Sequence, residues 1–177
     1  MLAYQIVEMN HMTGQRPDFN SELLRKALGC FPTGVVVVTT LGDNNAPVGM
    51  TINSFSSVSL DPPLILWSIA LTAPSLGAFR VHPGFTINVL SESQEALCMN
   101  FARPSENKFE GVDWHAGYEG TPVLDNSLAV LQCKTYRRYE GGDHEIYLGE
   151  VQKVNFNDQQ PLVFHRGQFG KVDHHKS

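Results

Sequence analysis

The sequence predicts an antiparallel β-barrel with helical insertions. Three observations carry that fold class. Runs of strand length rich in β-branched and aromatic residues recur along the chain, among them "GVVVVTTL", "LILWSIA" and "GFTINVL". Only two or three helical patterns lie between them, where a doubly wound parallel sheet would need a helix after nearly every strand. The stretch "LAVLQCKTYRRY", the turn "EGGD" and "HEIYLGEVQKV" read together as one long hairpin, an antiparallel unit.

Residues 1–17 show no periodicity and are expected to form a flexible N-terminal arm. One domain is expected over 18–170, with a tail at 171–177 in which His174 and His175 are solvated. The domain opens with a helix in "DFNSELLRKALGCFPTG". Phe19, Leu23, Ala27 and Phe31 share a face, Asp18 or Asn20 caps the start, and Gly29 and Pro32 mark the end. "GVVVVTTL" is then a fully buried strand, and "GDNNAP" is a turn. "VGMTINSFSSVSL" reads as one strand, with Thr51, Asn53 and Phe55 on one face and Ile52, Ser54 and Ser56 on the other. "LILWSIA" follows the turn at Pro62–Pro63, "PSLGAFRVH" is a short helix, and "GFTINVL" is a strand. "SESQEALCMNFA" is a third helix, with Ser91 and Gln94 at capping-box spacing. Residues 102–125 read as a loop long enough to be functional. In the hairpin the apolar phase shifts between Leu148 and Val151, which predicts a bulge near Gly149. "PLVFHRGQF" is the last strand.

Composition excludes several classes. The net charge of −5 and the scattered Lys and Arg give no footprint for nucleic acid. No apolar run reaches the ~20 residues of a membrane helix. The N-terminus lacks the layout of a signal peptide. Cys30, Cys98 and Cys133 are odd in number and widely spaced, which suits buried thiols in a reducing cytoplasm.

The usual chemical signatures are missing. There is no G-x-x-x-x-G-K-[ST], no G-x-G-x-x-G opening a helix, no G-x-S-x-G and no H-E-x-x-H. Asp113 and His115 flank Trp114 and would project on one side of an extended strand, a weak metal signal better explained by loop polarity. Either the protein is no enzyme, or its chemistry belongs to a bound cofactor for which it supplies a slot and hydrogen bonds. The polar stretch "GMTINSFSSVSLDPPL" leaves the same choice open: its hydroxyls satisfy a strand edge or line a pocket.

In order along the chain stand "FPTGVVVVTT", "GMTINSFSSVSLDPPLILWSIA", "FTINVLSESQEALCMNFA", "KFEGVDW", "GTPVL" and "GGDHEIYLGEV". The set resembles the short-chain flavin reductases, the NAD(P)H:flavin oxidoreductases that serve two-component monooxygenases, over roughly residues 20–170. T-x-N-S-F followed by S-L-D-P-P is its most telling part. The resemblance implies a split β-barrel, mainly β, that binds FMN or FAD and works as a homodimer. It implies hydride transfer from NADH or NADPH to flavin, with reduced flavin released to a monooxygenase component. No metal is implied.

The resemblance also implies a site. Val48, Gly49, Met50 and Thr51, with Asn53 and Ser54, would contact the flavin ring and ribityl chain, Gly49 permitting close backbone approach. Ser68, Ile69 and Ala70 would line the same slot. Ser75 would offer its hydroxyl and helix N–H groups to the phosphate. Phe101, Ala102 and Lys108 would add contacts, Lys108 supplying charge; a solvated lysine is the plain alternative. His144 of G-D-H would approach the nicotinamide, or else with Asp143 it merely closes the hairpin. Arg166 would contact pyridine nucleotide. Phe169 stands where the family often has an aromatic hydroxyl, which leaves it a stacking role. No protein nucleophile is required, since orientation supplies most of the acceleration. Two alternatives share the barrel: an electron carrier that retains FMN, and a non-enzymatic flavin-binding protein.

Overall fold

In the computed structural model, which describes residues 20–105 and 107–173, the chain begins with helix α1 (Ser21–Leu28). Asn20 caps it, its Oδ1 accepting from the backbone N–H of Glu22 and Leu23. The expected arm, Asp18, Phe19, His174 and His175 lie outside the described residues. No residue of α1 is buried, so the face that Leu23 and Ala27 share is exposed in the single chain.

Strands β1 (Thr33–Gly34) and β2 (Val36–Leu41) follow. The buried run behaves as the sequence predicts, and alternation explains how. Val36 and Val38 enter one core cluster, Val35 and Val37 a second on the opposite side. A strand buried on both faces reads as a continuous apolar run.

The stretch 48–60, expected as one strand, is two. β3 (Pro47–Ile52) and β4 (Ser56–Leu60) lie at opposite edges of a seven-stranded antiparallel sheet. Its order is β3-β2-β6-β9-β10-β5-β4, with β5 (Pro63–Ala70), β6 (Gly84–Val89), β9 (Ala129–Gly141) and β10 (His144–Phe156). The strand alternation proposed for Thr51 through Ser56 therefore fails, because the chain leaves β3 at Ile52. Only residues 53–55 link the two edges, and four Cα steps reach ~14 Å at most. The sheet must curl until its edges nearly meet, which makes it a split barrel. At that seam Ser54 Oγ accepts from the Ser68 N–H (3.1 Å) and donates to the Ser68 carbonyl (3.0 Å), extending the pairing of β5.

Between these strands lie helices α2 (Leu76–Val81) and α3 (Glu95–Ala102), as expected. Ser91 and Gln94 form the predicted capping box ahead of α3. The loop 102–125 holds a small hairpin, β7 (Trp114–Ala116) with β8 (Pro122–Leu124). Across it His115 Nδ1 meets Asp125 Oδ1 at 2.9 Å, so the carboxylate partner of His115 is Asp125 rather than Asp113. The last expected strand is likewise a hairpin, β11 (Val163–His165) with β12 (Gln168–Gly170). Arg166 and Gly167 turn it with φ of 50° and 81°. β11 pairs with β1 outside the main sheet.

The principal core is aromatic. Trp67 and Tyr147, directly opposite on β5 and β10, stack with centroids 4.7 Å apart, and Phe79 and Phe85 meet Trp67 edge-on. The predicted bulge is present, with a register shift between Leu148 and Gly149. A Cβ at Gly149 would stand 2.4 Å from Phe85 Cζ, so the ring takes that space. Cys98 and Cys133 are buried as expected, and burial pushes the Cys133 thiol up to about 12. Cys30 is exposed, contrary to expectation, because the chain after α1 runs over the surface.

Candidate active site

A cleft of 1640 Å³ opens beside the β3 edge of the sheet. That is larger than the ~300–1,000 Å³ usual for one small ligand. Val48 to Thr51 of β3 form one wall. Among the described residues β3 pairs only with β2, so alternate residues point N–H and C=O groups away from the sheet, a row suited to a ring with carbonyls and nitrogens along one edge, in which the Gly49 carbonyl also accepts from Lys108. Ala73 to Ser75 and the outer face of α2, with Gly77, Ala78 and Val81, form the facing wall. The end of α3 and the loop after it close the third side through Phe101, Ala102 and Lys108.

The side chains along β3 are committed to holding these walls. Thr51 Oγ1 donates to the Cys98 carbonyl at 2.7 Å, tying β3 to α3. Ser75 Oγ, at the start of α2, donates to Met50 Sδ at 3.3 Å. Gly49 has no Cβ because Phe101 lies against it: a Cβ there would be 2.7 Å from Phe101 Cε1. The close approach expected at Gly49 is thus to Phe101, which floors the cleft. Lys108 Nζ donates to the carbonyls of Phe101 (2.8 Å) and Gly49 (3.4 Å), which leaves one donor to turn to an anion. Partial burial lowers its pKa from the usual lysine value.

Eight of the residues singled out from sequence therefore line this cleft: Val48, Gly49, Met50, Thr51, Ser75, Phe101, Ala102 and Lys108. The others lie elsewhere. Ser54 and Ser68 bond each other at the seam. The Ile69 side chain is fully buried in the aromatic core, so only its backbone can face a ligand. Ala70 pairs with His144 where β5 ends beside the β9–β10 hairpin tip. His144 Nδ1 lies 2.7 Å from Asp143 Oδ1, whose carboxyl that contact holds below its usual value. The Asp143 carbonyl accepts from the Leu71 N–H, which leads the chain towards the α2 wall. Asn53 and Arg166 line a second hollow with Arg25, Cys30 and Thr33, and Arg166 Nη2 reaches Cys30 Sγ at 3.4 Å. Phe169 packs on Phe164 with centroids 5.5 Å apart and faces neither hollow.

Asp43, Asn45, His82, Arg103 and Asn107 also line the cleft and were not singled out. Arg103 and Asn107 fall in the long loop whose length marked it as functional. Asp43 and Asn45 had no signal beyond turn chemistry, and His82 none beyond its place at the end of a short helical pattern.

Residues 28–173 match the family described as flavin reductase like domain. The chain is 44% identical over 152 residues to an FMN reductase (NADH) of Agrobacterium fabrum, covering 86% of each. It is 37% identical over 154 residues to the reductase subunit of a flavin-dependent monooxygenase of Rhodococcus jostii, covering 86% of this chain and 78% of that one. Among solved structures, an NADH:FAD oxidoreductase of Streptomyces globisporus in complex with NAD and FAD fragments superposes with a TM-score of 0.83. That pair is 40% identical over 87% of this chain and 93% of the other.

Proposed function

The chain belongs to the flavin reductase family, and from that premise we propose that the cleft beside β3 binds the flavin that the enzyme reduces. The protein is an NADH-dependent flavin reductase with FMN or FAD as acceptor, supplying reduced flavin to a monooxygenase. The observation that carries the site is the open edge of β3, floored by Phe101 and flanked by the Lys108 ammonium.

The residues present fit a flavin. Outward N–H and C=O groups along Val48 to Thr51 match the polar edge of its ring system, and Phe101 beneath β3 keeps that edge rigid. Lys108 supplies a charged donor to a phosphate, with Ser75 across the cleft at the start of α2. Hydride transfer from reduced nicotinamide to flavin is chemistry that the two bound molecules supply. The protein aligns them and keeps one face of the slot open, which needs no side-chain nucleophile. His144, at the hairpin tip beside Ala70, orients the nicotinamide through a ring N–H. Arg166 and Asn53 line the neighbouring hollow, where the rest of a dinucleotide would lie.

The working unit is a homodimer. Leu23, Leu24, Leu28 and Phe31 expose a continuous apolar face around α1, with Phe31 74% exposed, and a second copy would cover it. A cytoplasmic setting agrees with three unpaired cysteines. No helix among the described residues is long and apolar enough to cross a membrane.

Titrating apoprotein into FMN, FAD and riboflavin and following flavin fluorescence tests the site. The native protein should quench the fluorescence saturably, and the quenching should weaken when Lys108 loses its charge. A protein that stays yellow through purification and does not turn over free flavin would favour the electron carrier.

A further inference from the structure

Helix α2 has six residues, too short to hold its shape alone. Its inner face is anchored by Leu76 and Phe79, both buried in the aromatic core. Its outer face, Gly77, Ala78 and Val81, is a wall of the cleft. The position of that wall therefore depends on what grips the end of the helix.

The grip is ionic. Arg80 Nε and Nη2 both donate to Glu145 Oε2, at 2.9 and 2.6 Å. Arg138 Nη1 stands 3.5 Å from Glu145 Oε1 and donates to the Arg80 carbonyl at 3.4 Å. The Glu145 side chain is 12% exposed, so this is no freely solvated surface pair. Burial by itself would raise the Glu145 carboxyl; the hydrogen bonds and charge of Arg80 outweigh it and hold the pKa below the ordinary value. Glu145 also follows His144 on β10, and the adjacent Asp143 carbonyl holds Leu71.

We propose that Glu145 is a positioning residue for flavin binding: gripped by Arg80 of α2 and faced by Arg138 of β9, it fixes the α2 wall of the cleft against the hairpin tip that carries His144. The inference rests on the reading of the cleft as the flavin site. It concerns geometry, since Glu145 itself lines no part of the cleft.

The test compares native protein with Arg80→Met, Arg80→Lys and Glu145→Gln. Arg80→Met keeps the aliphatic stem of a half-exposed side chain, so the fold survives. Flavin Kd is read by fluorescence titration without turnover, alongside KM, kcat and Tm. Arg80→Met is expected to raise flavin Kd and KM about tenfold while kcat at saturation stays within about twofold, because a displaced wall weakens the slot. Arg80→Lys and Glu145→Gln, which keep part of the contact, should fall between. A lowered Tm with unchanged Kd would mean the pair is structural only and would overturn the proposal, as would a loss confined to kcat. Native protein that binds no flavin would overturn the assignment of the cleft as well; native binding with unaltered variants overturns the latch alone.

Discussion

The ammonium of Lys108 lies 2.8 Å from the carbonyl oxygen of Phe101 and 3.4 Å from that of Gly49. One loop side chain thus joins the end of α3 to the edge of β3 and brings a positive charge to the mouth between them. Replacing it with methionine keeps the stem and removes the charge. Hydrogen bonds to charged groups contribute about 1.5–3 kcal/mol, so KM for FMN should rise about tenfold or more. Riboflavin has no phosphate and should be little affected. An equal rise for riboflavin would assign Lys108 to holding the loop alone.

Gly49 tests the floor of the cleft. A methyl group there meets Phe101 at 2.7 Å and Thr39 Cγ2 at 3.2 Å. Gly49→Ala should cost about 1–3 kcal/mol, the usual range for overpacking, read as a shift in denaturant midpoint. Adding Phe101→Leu should return part of that loss. No recovery in the double variant would place the clash elsewhere.

Ser54 tests the seam. Its hydroxyl serves both backbone groups of Ser68, which alanine would leave unpaired beside the seam. Ser54→Ala should destabilise by about 1–2 kcal/mol, measured by chemical denaturation. Unchanged stability would show that water replaces the hydroxyl at no cost.

Much of this was legible in the sequence because local patterns and packing agree. The valine run from 35 to 38, the capping box of Ser91 and Gln94 and the bulge at Gly149 were each readable from residue type and spacing. The break at 53–55 was not, because Asn53, Ser54 and Phe55 continue the strand-like alternation while the chain crosses from one sheet edge to the other. Arg166 and Gly167 were likewise hidden: a two-residue turn in "PLVFHRGQF" divides one apparent strand into two. In the site, the residue set came from family resemblance, and the partners of each hydroxyl came only from the fold. Thr51 and Ser54 look alike in sequence, yet one bonds a helix carbonyl and the other a strand edge.

Acid should loosen the α2 latch. Arg80 holds the Glu145 carboxyl below its ordinary value of 4.5, with Arg138 adding to the effect and Tyr147 the other titratable neighbour. A carboxyl depressed on folding adds stability above its unfolded pKa, and that contribution is lost as pH falls through the folded value. Native protein should therefore lose stability below pH 4.5 more steeply than Glu145→Gln, in thermal melts across that range. Parallel profiles would show that the pair contributes nothing on acidification.

Flavin reductase activity is tested most directly by the rate of NADH oxidation by purified protein with and without added FMN or FAD, followed by the loss of reduced-nicotinamide absorbance. This activity requires negligible oxidation without flavin and a rate that rises and saturates as free flavin is added. A folded protein that oxidises no NADH at any flavin concentration would contradict it.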